Sequence, residues 1–452
     1  FLGNANGKNQ EKARLEKARI VKKYGQKYED IDPETLAYDP IHEMYVNAES
    51  SLNEDVSQYE PYRDMIGKGM FDKETEDYLR DQLEFNLNPN FDDRSLIGDN
   101  PDDFNDKFYG NGDAEGPDAL HGTHVAGIIG AVRGNKKGGD GVADNVLIMS
   151  VRAVPNGDEH DKDVANAIRY AVDNGAKVIN MSFGKSFSPY HEKVQEAIQY
   201  AVSKDVLMIH AAGNDASDID YTDNFPKKPA FDYIDSTSRK LFLNIGANTK
   251  EAGDALVASF SNFGAMEVDV FAPGNEIYNS VPQSGYKNLQ GTSMAAPNVS
   301  GSILLLQQYY FSLFNDYMRA ATLKGIICHT ADDAGNVGPD PIFGWGLLNS
   351  KFAAETILAA SQGGAHISER TLSDGGTFST TIEVVSGESL SATICWTDPA
   401  GTARNGSSNS PLAALVNDLD LRLTGPSGGT TYFPWKLDLN NISGSAITGD
   451  NL

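Results

Sequence analysis

Three short stretches of this 452-residue chain hold residues suited to acyl chemistry: "HGTHVAGIIGA" (121–131), "HAAGND" (210–215) and "GTSMAAP" (291–297). A serine hydroxyl is a poor nucleophile until an imidazole takes its proton. The oxyanion formed on attack then needs donors, such as a backbone N–H at a helix start and a side-chain amide. Ser293, His121 and Asn214 are the residue types for nucleophile, general base and oxyanion donor. A lone serine at a helix start is usually a cap, so it is the combination that points to chemistry. Ser293 also sits beside a local fault. Pro297 has no N–H for the Ser293 carbonyl four residues back, and an interior proline costs about 3 kcal/mol. Such a flaw is expected at a site rather than in ordinary core, and Gly291 leaves room for a substrate backbone.

These groups need elements to position them. "VLIMSVRAV" (146–154) reads as a buried strand, and "KVINMS" and "VLMIHAA" as the next two. Between them, Val164, Ala167, Ile168, Ala171 and Val172 fall on one helix face, as do Val194, Ala197, Ile198, Ala201 and Val202. Continuous apolar strands alternating with amphipathic helices predict an α/β, doubly wound parallel sheet with helices on both faces. Sites in such sheets gather at the carboxyl ends of the strands. Residues 9–106 are charged and read as a mostly helical insertion. From about Ala365 helices vanish, and Leu390, Ala392, Ile394 and Trp396 alternate, as do Leu419, Leu421 and Leu423. The expected organisation is a catalytic domain over 1–362 and an incomplete C-terminal antiparallel β-sandwich over 363–452.

A formal charge of −26, from 63 acidic and 37 basic residues, argues against nucleic acid, whose phosphates would be repelled. No apolar run is long enough to span a bilayer. Cys328 and Cys395 fall in different predicted domains and are expected as unpaired, buried thiols. The first residues, "FLGNANGKNQ", contain no targeting signal, and the chain is expected to be a fragment at both ends. His124 is expected to be structural. His42, His160, His191, His210, His329 and His366 have no metal-ligand spacing.

"HGTHVAG", "AAGN" and "GTSMAAP" resemble the histidine, oxyanion-asparagine and serine motifs of the subtilisin-like serine peptidases, the subtilases, and occur in that family's order. "VINMSFG", "VDVFAPG" and "GWGLLNS" fit between and after them, so the resemblance covers about residues 116–360. It implies a secreted endopeptidase acting on protein or peptide substrates, with no cofactor in the chemistry and structural calcium plausible. It also implies that Ser182, Phe183, Gly184, Ala211, Ala212 and Gly213 line the pocket for the residue before the scissile bond. Residues 152–155 would pair with substrate backbone, and "NGDEHDKD" (156–163) behind them is a candidate for favouring basic side chains further from the cut.

One part of the pattern is missing. The family's catalytic aspartate lies on an early strand in a setting like V-x-V-[IL]-D-[ST]-G, and no such stretch lies upstream of His121. Asp118 reads as a loop or helix-capping carboxylate. The expectation is that the aspartate strand precedes Phe1, leaving the chain as given crippled. The alternative is a catalytically dead peptide-binding or scaffold protein. Serine-carboxyl peptidases carry a glutamate where this chain has His121, and α/β-hydrolases want G-x-S-x-G. The acidic run 99–113 could hold calcium but does not match the D-x-[DN]-x-[DN]-G loop, and a solvated acidic loop is the commoner outcome.

Overall fold

In the computed structural model, strands β1 (Val178–Met181), β2 (Leu207–Ala211), β3 (Phe242–Asn248) and β4 (Val270–Pro273) form one parallel sheet in that order. The structure describes residues 5–37, 39–71, 73–88, 91–101, 103–116, 118–155, 159–227, 241–397, 416–438 and 440–449. Every residue of β2 is buried, as are Phe242 to Ala247 of β3, so both faces of the sheet are covered.

The covering helices form where the apolar spacing places them. Helices α7 (Asp161–Asp173) and α8 (His191–Ser203) pack on each other. Val164, Ile168, Val194, Ala197 and Ile198 join β2 and β3 in the main core. Helix α9 (Thr292–Phe314) runs against all four strands and buries Ala295, Ala296, Val299 and Ile303 completely. Helix α6 (Leu120–Gly130) packs on α9 and on β5 (Ile277–Val281), which pairs antiparallel with β6 (Gly285–Leu289). Gly127 and Gly130 permit this approach: a Cβ would lie 2.2 Å from Ser280 Oγ at the first and 2.4 Å from Val146 at the second. Helices α10 (Ala320–His329) and α11 (Ser350–Ser361) complete this body.

The predicted strand 146–154 is a correction. The segment makes no ladder, and Leu147 is 99% exposed, with Ile148, Met149 and Val151 also at the surface. An apolar run becomes a strand only when a neighbour completes its backbone hydrogen bonds. Among the described residues β1 pairs only with β2, and an open groove of about 2530 Å³ flanks Ser150 to Pro155.

The charged insertion is helical, as its spacing predicts: α1 (Ala5–Tyr24), α2 (Pro33–Leu36), α3 (Pro40–Arg63), α4 (Lys73–Asp81) and α5 (Asp93–Ile97). It has small cores of its own, one around Ile20, Ile31 and Tyr45 and one around Leu52, Tyr59 and Leu83. A buried polar cluster fastens its end to α7. The Arg94 guanidinium grips Asp163 at 2.7 Å and also binds Asp99, which binds Lys162 in turn. Beyond α11, among the described residues, the antiparallel pairs are β7 (Leu423–Thr424) with β8 (Thr431–Tyr432) and β9 (Trp435–Lys436) with β10 (Ile447–Thr448). Cys328 and Cys395 are thiols, each only half-buried, and both lie near Lys324 of α10.

Candidate active site

The first turn of α9 explains the oddities of its sequence. A helix start leaves four backbone N–H groups without helical partners. Here the Thr292 N–H donates to Asn214 Oδ1 at 2.9 Å, and the Met294 and Ala295 N–H groups reach the Gly291 carbonyl at 3.0 and 3.3 Å. Gly291 makes that possible with φ 147°, a backbone state open to glycine. Among the described residues, only the Ser293 N–H of this turn has no acceptor.

Asn214, just past the end of β2, supplies a second donor. Its Oδ1 also accepts from Thr292 Oγ1 at 3.0 Å, which in turn accepts from the Gly213 N–H at 3.0 Å. Only the oxygen of an amide can accept these bonds, so Nδ2 is turned the other way. It has no protein partner among the described residues. Two unspent donors at a helix start can stabilise a developing oxyanion.

Pro297 has a local answer. The Ser293 carbonyl that it deprives of a helical donor accepts Ser182 Oγ at 2.9 Å, while Ser293 Oγ donates to the Ser182 carbonyl at 3.1 Å. Ser182 stands directly after β1, so the strand end and the helix mouth are bonded reciprocally. The structure thus joins Ser293, Asn214, Gly213 and Ser182 into one cluster.

His121 enters from α6, in the first turn of a helix that packs on α9. No hydrogen bond joins it to Ser293 among the described residues, whose hydroxyl is held by Ser182 instead. The imidazole is solvent-exposed, yet the protein crowded about it lowers its pKa below the ordinary value; nearby His124 lowers it further and Asp118 raises it. Asp118 Oδ1 accepts from the Leu120 N–H at 2.9 Å, consistent with a helix-start carboxylate. His124 is completely buried and donates Nε2–H to the Ile277 and Lys287 carbonyls at 3.0 and 3.1 Å, binding α6 to the β5–β6 hairpin.

The pocket candidates face one another across a buried amide. Gly184 has no room for a Cβ, which would lie 2.3 Å from Asn224 Oδ1. A Cβ on Gly213 would lie 2.3 Å from Asn262 Nδ2 and 3.3 Å from Asn224 Nδ2. Asn224 is fixed there by its bond to the Ala211 carbonyl at 3.0 Å. Ala212 is fully buried, and Phe183 packs against the main core while its carbonyl accepts His210 Nε2–H at 2.9 Å. The sequence alone does not point to Asn224, Asn262 and Thr292, because their partners Ala211, Ala212 and Asn214 lie 13, 50 and 78 positions away.

The idea that 156–163 favours basic side chains finds no support. Asp161 is bound by Lys185 at 2.9 Å and by Ser188, and Asp163 by Arg94 and Tyr109; residues 156–158 lie outside the described residues. Asp99 is held by Lys162 and Arg94, and Asp103 and Asp113 accept backbone N–H groups. No group of three or more His, Cys, Asp or Glu suited to a metal occurs among the described residues.

The model of the subtilase family matches residues 71–346, which is more than half of the chain and includes the whole cluster. The chain belongs to the subtilase family. Thermitase of Thermoactinomyces vulgaris is 36% identical over 219 residues, which are 48% of this chain and 69% of thermitase. Subtilisin DY of Bacillus licheniformis is 31% identical over 241 residues, covering 52% of this chain and 77% of that relative. Among solved structures, that of a lanthipeptide protease overlaps 53% of this subtilase and 75% of its own chain, with 23% identity and a TM-score of 0.45. The family match starts within the charged insertion, well before the first motif at His121. No helix of this subtilase, among the described residues, is long and apolar enough to cross a membrane.

Proposed function

We propose that the chain belongs to a secreted serine endopeptidase that cleaves peptide bonds in proteins through an acyl-enzyme. Ser293 Oγ attacks the scissile carbonyl, and His121 takes its proton and returns it to the leaving amine. The Ser293 N–H and Asn214 Nδ2 receive the oxyanion. Ser182, Phe183, Gly184, Ala211, Ala212 and Gly213 flank the side chain before the cut. Water then hydrolyses the ester, and no metal enters the chemistry. The observation that carries this reading is the pair of unspent donors, Ser293 N–H and Asn214 Nδ2, on one helix mouth within a subtilase.

The carboxylate that orients His121 is assigned to a strand of the same protein outside the described sequence. Two observations support it: among the described residues β1 has one edge without a strand, and the apolar run 147–154 stands exposed beside an open groove. A strand seated there would complete both backbones. Fluorophosphonate labelling of the full-length protein tests the nucleophile. Covalent modification at Ser293, abolished in Ser293→Ala, is expected. No label under conditions that modify thermitase would overturn the reading in favour of a dead, peptide-binding protein.

A further inference from the structure

The reciprocal bond between Ser182 and Ser293 is the end of a longer chain. Ser182 Oγ accepts from Asn180 Nδ2 at 2.9 Å, and Asn180 Oδ1 accepts from Ser300 Oγ at 2.9 Å. Ser300 is on α9 itself, two turns beyond the nucleophile, and is 1% exposed. A hydroxyl has one proton to give, and an amide oxygen can only accept. With the Asn180 amide facing this way, the bonds run from Ser300 to Asn180, from Asn180 to Ser182, and from Ser182 to the Ser293 carbonyl that Pro297 leaves bare. Ser293 Oγ then closes the ring on the Ser182 carbonyl.

Ser300 does not need this bond for its own burial. Its hydroxyl also lies 3.2 Å from the Ala296 carbonyl, the ordinary resort of a serine within a helix. Its shorter bond goes across to the sheet, where it fixes which way the Asn180 amide faces. Without it the amide can turn its oxygen to Ser182, whose single proton would leave the Ser293 carbonyl. The first turn of α9 would then keep the bond from Ser293 Oγ to the Ser182 carbonyl but lose the one that holds its own carbonyl.

We propose that Ser300 and Asn180 are positioning residues for acylation: through Ser182 they hold the helix mouth where Ser293 Oγ can pass from the Ser182 carbonyl to the imidazole while its N–H stays aligned with Asn214. The inference rests on Ser293 being the nucleophile. A displacement of about 1 Å at a reacting group costs up to ~10²-fold in rate. Ser300→Ala in the full-length protein is thus expected to slow peptide hydrolysis and fluorophosphonate labelling on the order of 10- to 100-fold, at nearly unchanged KM. Ser300→Thr, which keeps the hydroxyl, is expected to recover most of the rate. Asn180→Ala gives a second probe, and the double variant should lose no more than the worse single one, because both break the same relay. Labelling of Ser300→Ala within twofold of wild type, or full additivity of the two losses, overturns the relay while leaving the nucleophile in place. A wild-type protein that takes no label overturns both.

Discussion

Asn214 has two ends with separable tasks, and that separation can be measured. Its Oδ1 holds the Thr292 N–H and hydroxyl at 2.9 and 3.0 Å, a capping role from the next strand end. Its Nδ2 is the proposed oxyanion donor. Asn214→Ala removes both, and Asn214→Asp removes only the donor. Loss of a cap costs ~0.5–2 kcal/mol, so the alanine variant should be less stable by about that amount. The aspartate variant keeps the acceptor and adds an anion at a helix N-terminus, worth ~0.3–1 kcal/mol in its favour, so it should match or exceed wild-type stability. Turnover should move the other way. Losing one such donor costs ~10²–10³ in kcat in subtilisin, a member of this family from which the magnitude is carried over. Both variants should fall by that factor, with the aspartate at least as slow because an anion would face the oxyanion. The assays are kcat on a peptide substrate and chemical denaturation. An aspartate variant that is as active as wild type would show that Nδ2 does not serve the oxyanion, and the site would have to be redrawn.

Activity should rise with pH as His121 loses its proton; the protein around the imidazole, and then His124, lower its pKa. Asp118 opposes this, so Asp118→Asn should move the acid limb of the kcat/KM profile to still lower pH; a shift upward would refute the assignment. Asp99 holds both Lys162 and Arg94 in a buried setting, so Asp99→Ala should cost ~3–5 kcal/mol of unfolding free energy by denaturant titration. A change under about 1 kcal/mol would mean that water reaches the cluster. Asn224 fills the space between Gly184 and Gly213, so Asn224→Gly should raise kcat/KM for substrates with a large side chain before the scissile bond relative to small ones. An unchanged ratio in a peptide panel would place the pocket floor elsewhere.

The three motifs were legible because their signals are local. Ser293 beside Gly291 and Pro297, Asn214 at a strand end and His121 at a helix start each declare themselves within a few residues. The helices α7 and α8 were readable for the same reason, since a buried face writes its period of 3.6 into the sequence. The run 146–154 misled because strand formation depends on a neighbour as well as on apolar side chains, and among the described residues none flanks it. Half-burial of Cys328 and Cys395 was likewise set by packing that spacing does not encode.

By itself the sequence determined the family, through its three motifs, and the alternation of strand and helix, all features written at short range. Tertiary structure alone decided which polar atoms meet. Thr292 finds Asn214 across 78 positions, Ser300 finds Asn180 across 120, and Asp99 meets Lys162 across 63. A buried donor must find an acceptor wherever the fold brings one near, and chain spacing places no constraint on that distance. The same rule turned Asp161 and Asp163, offered as a surface for basic substrate side chains, to Lys185 and Arg94.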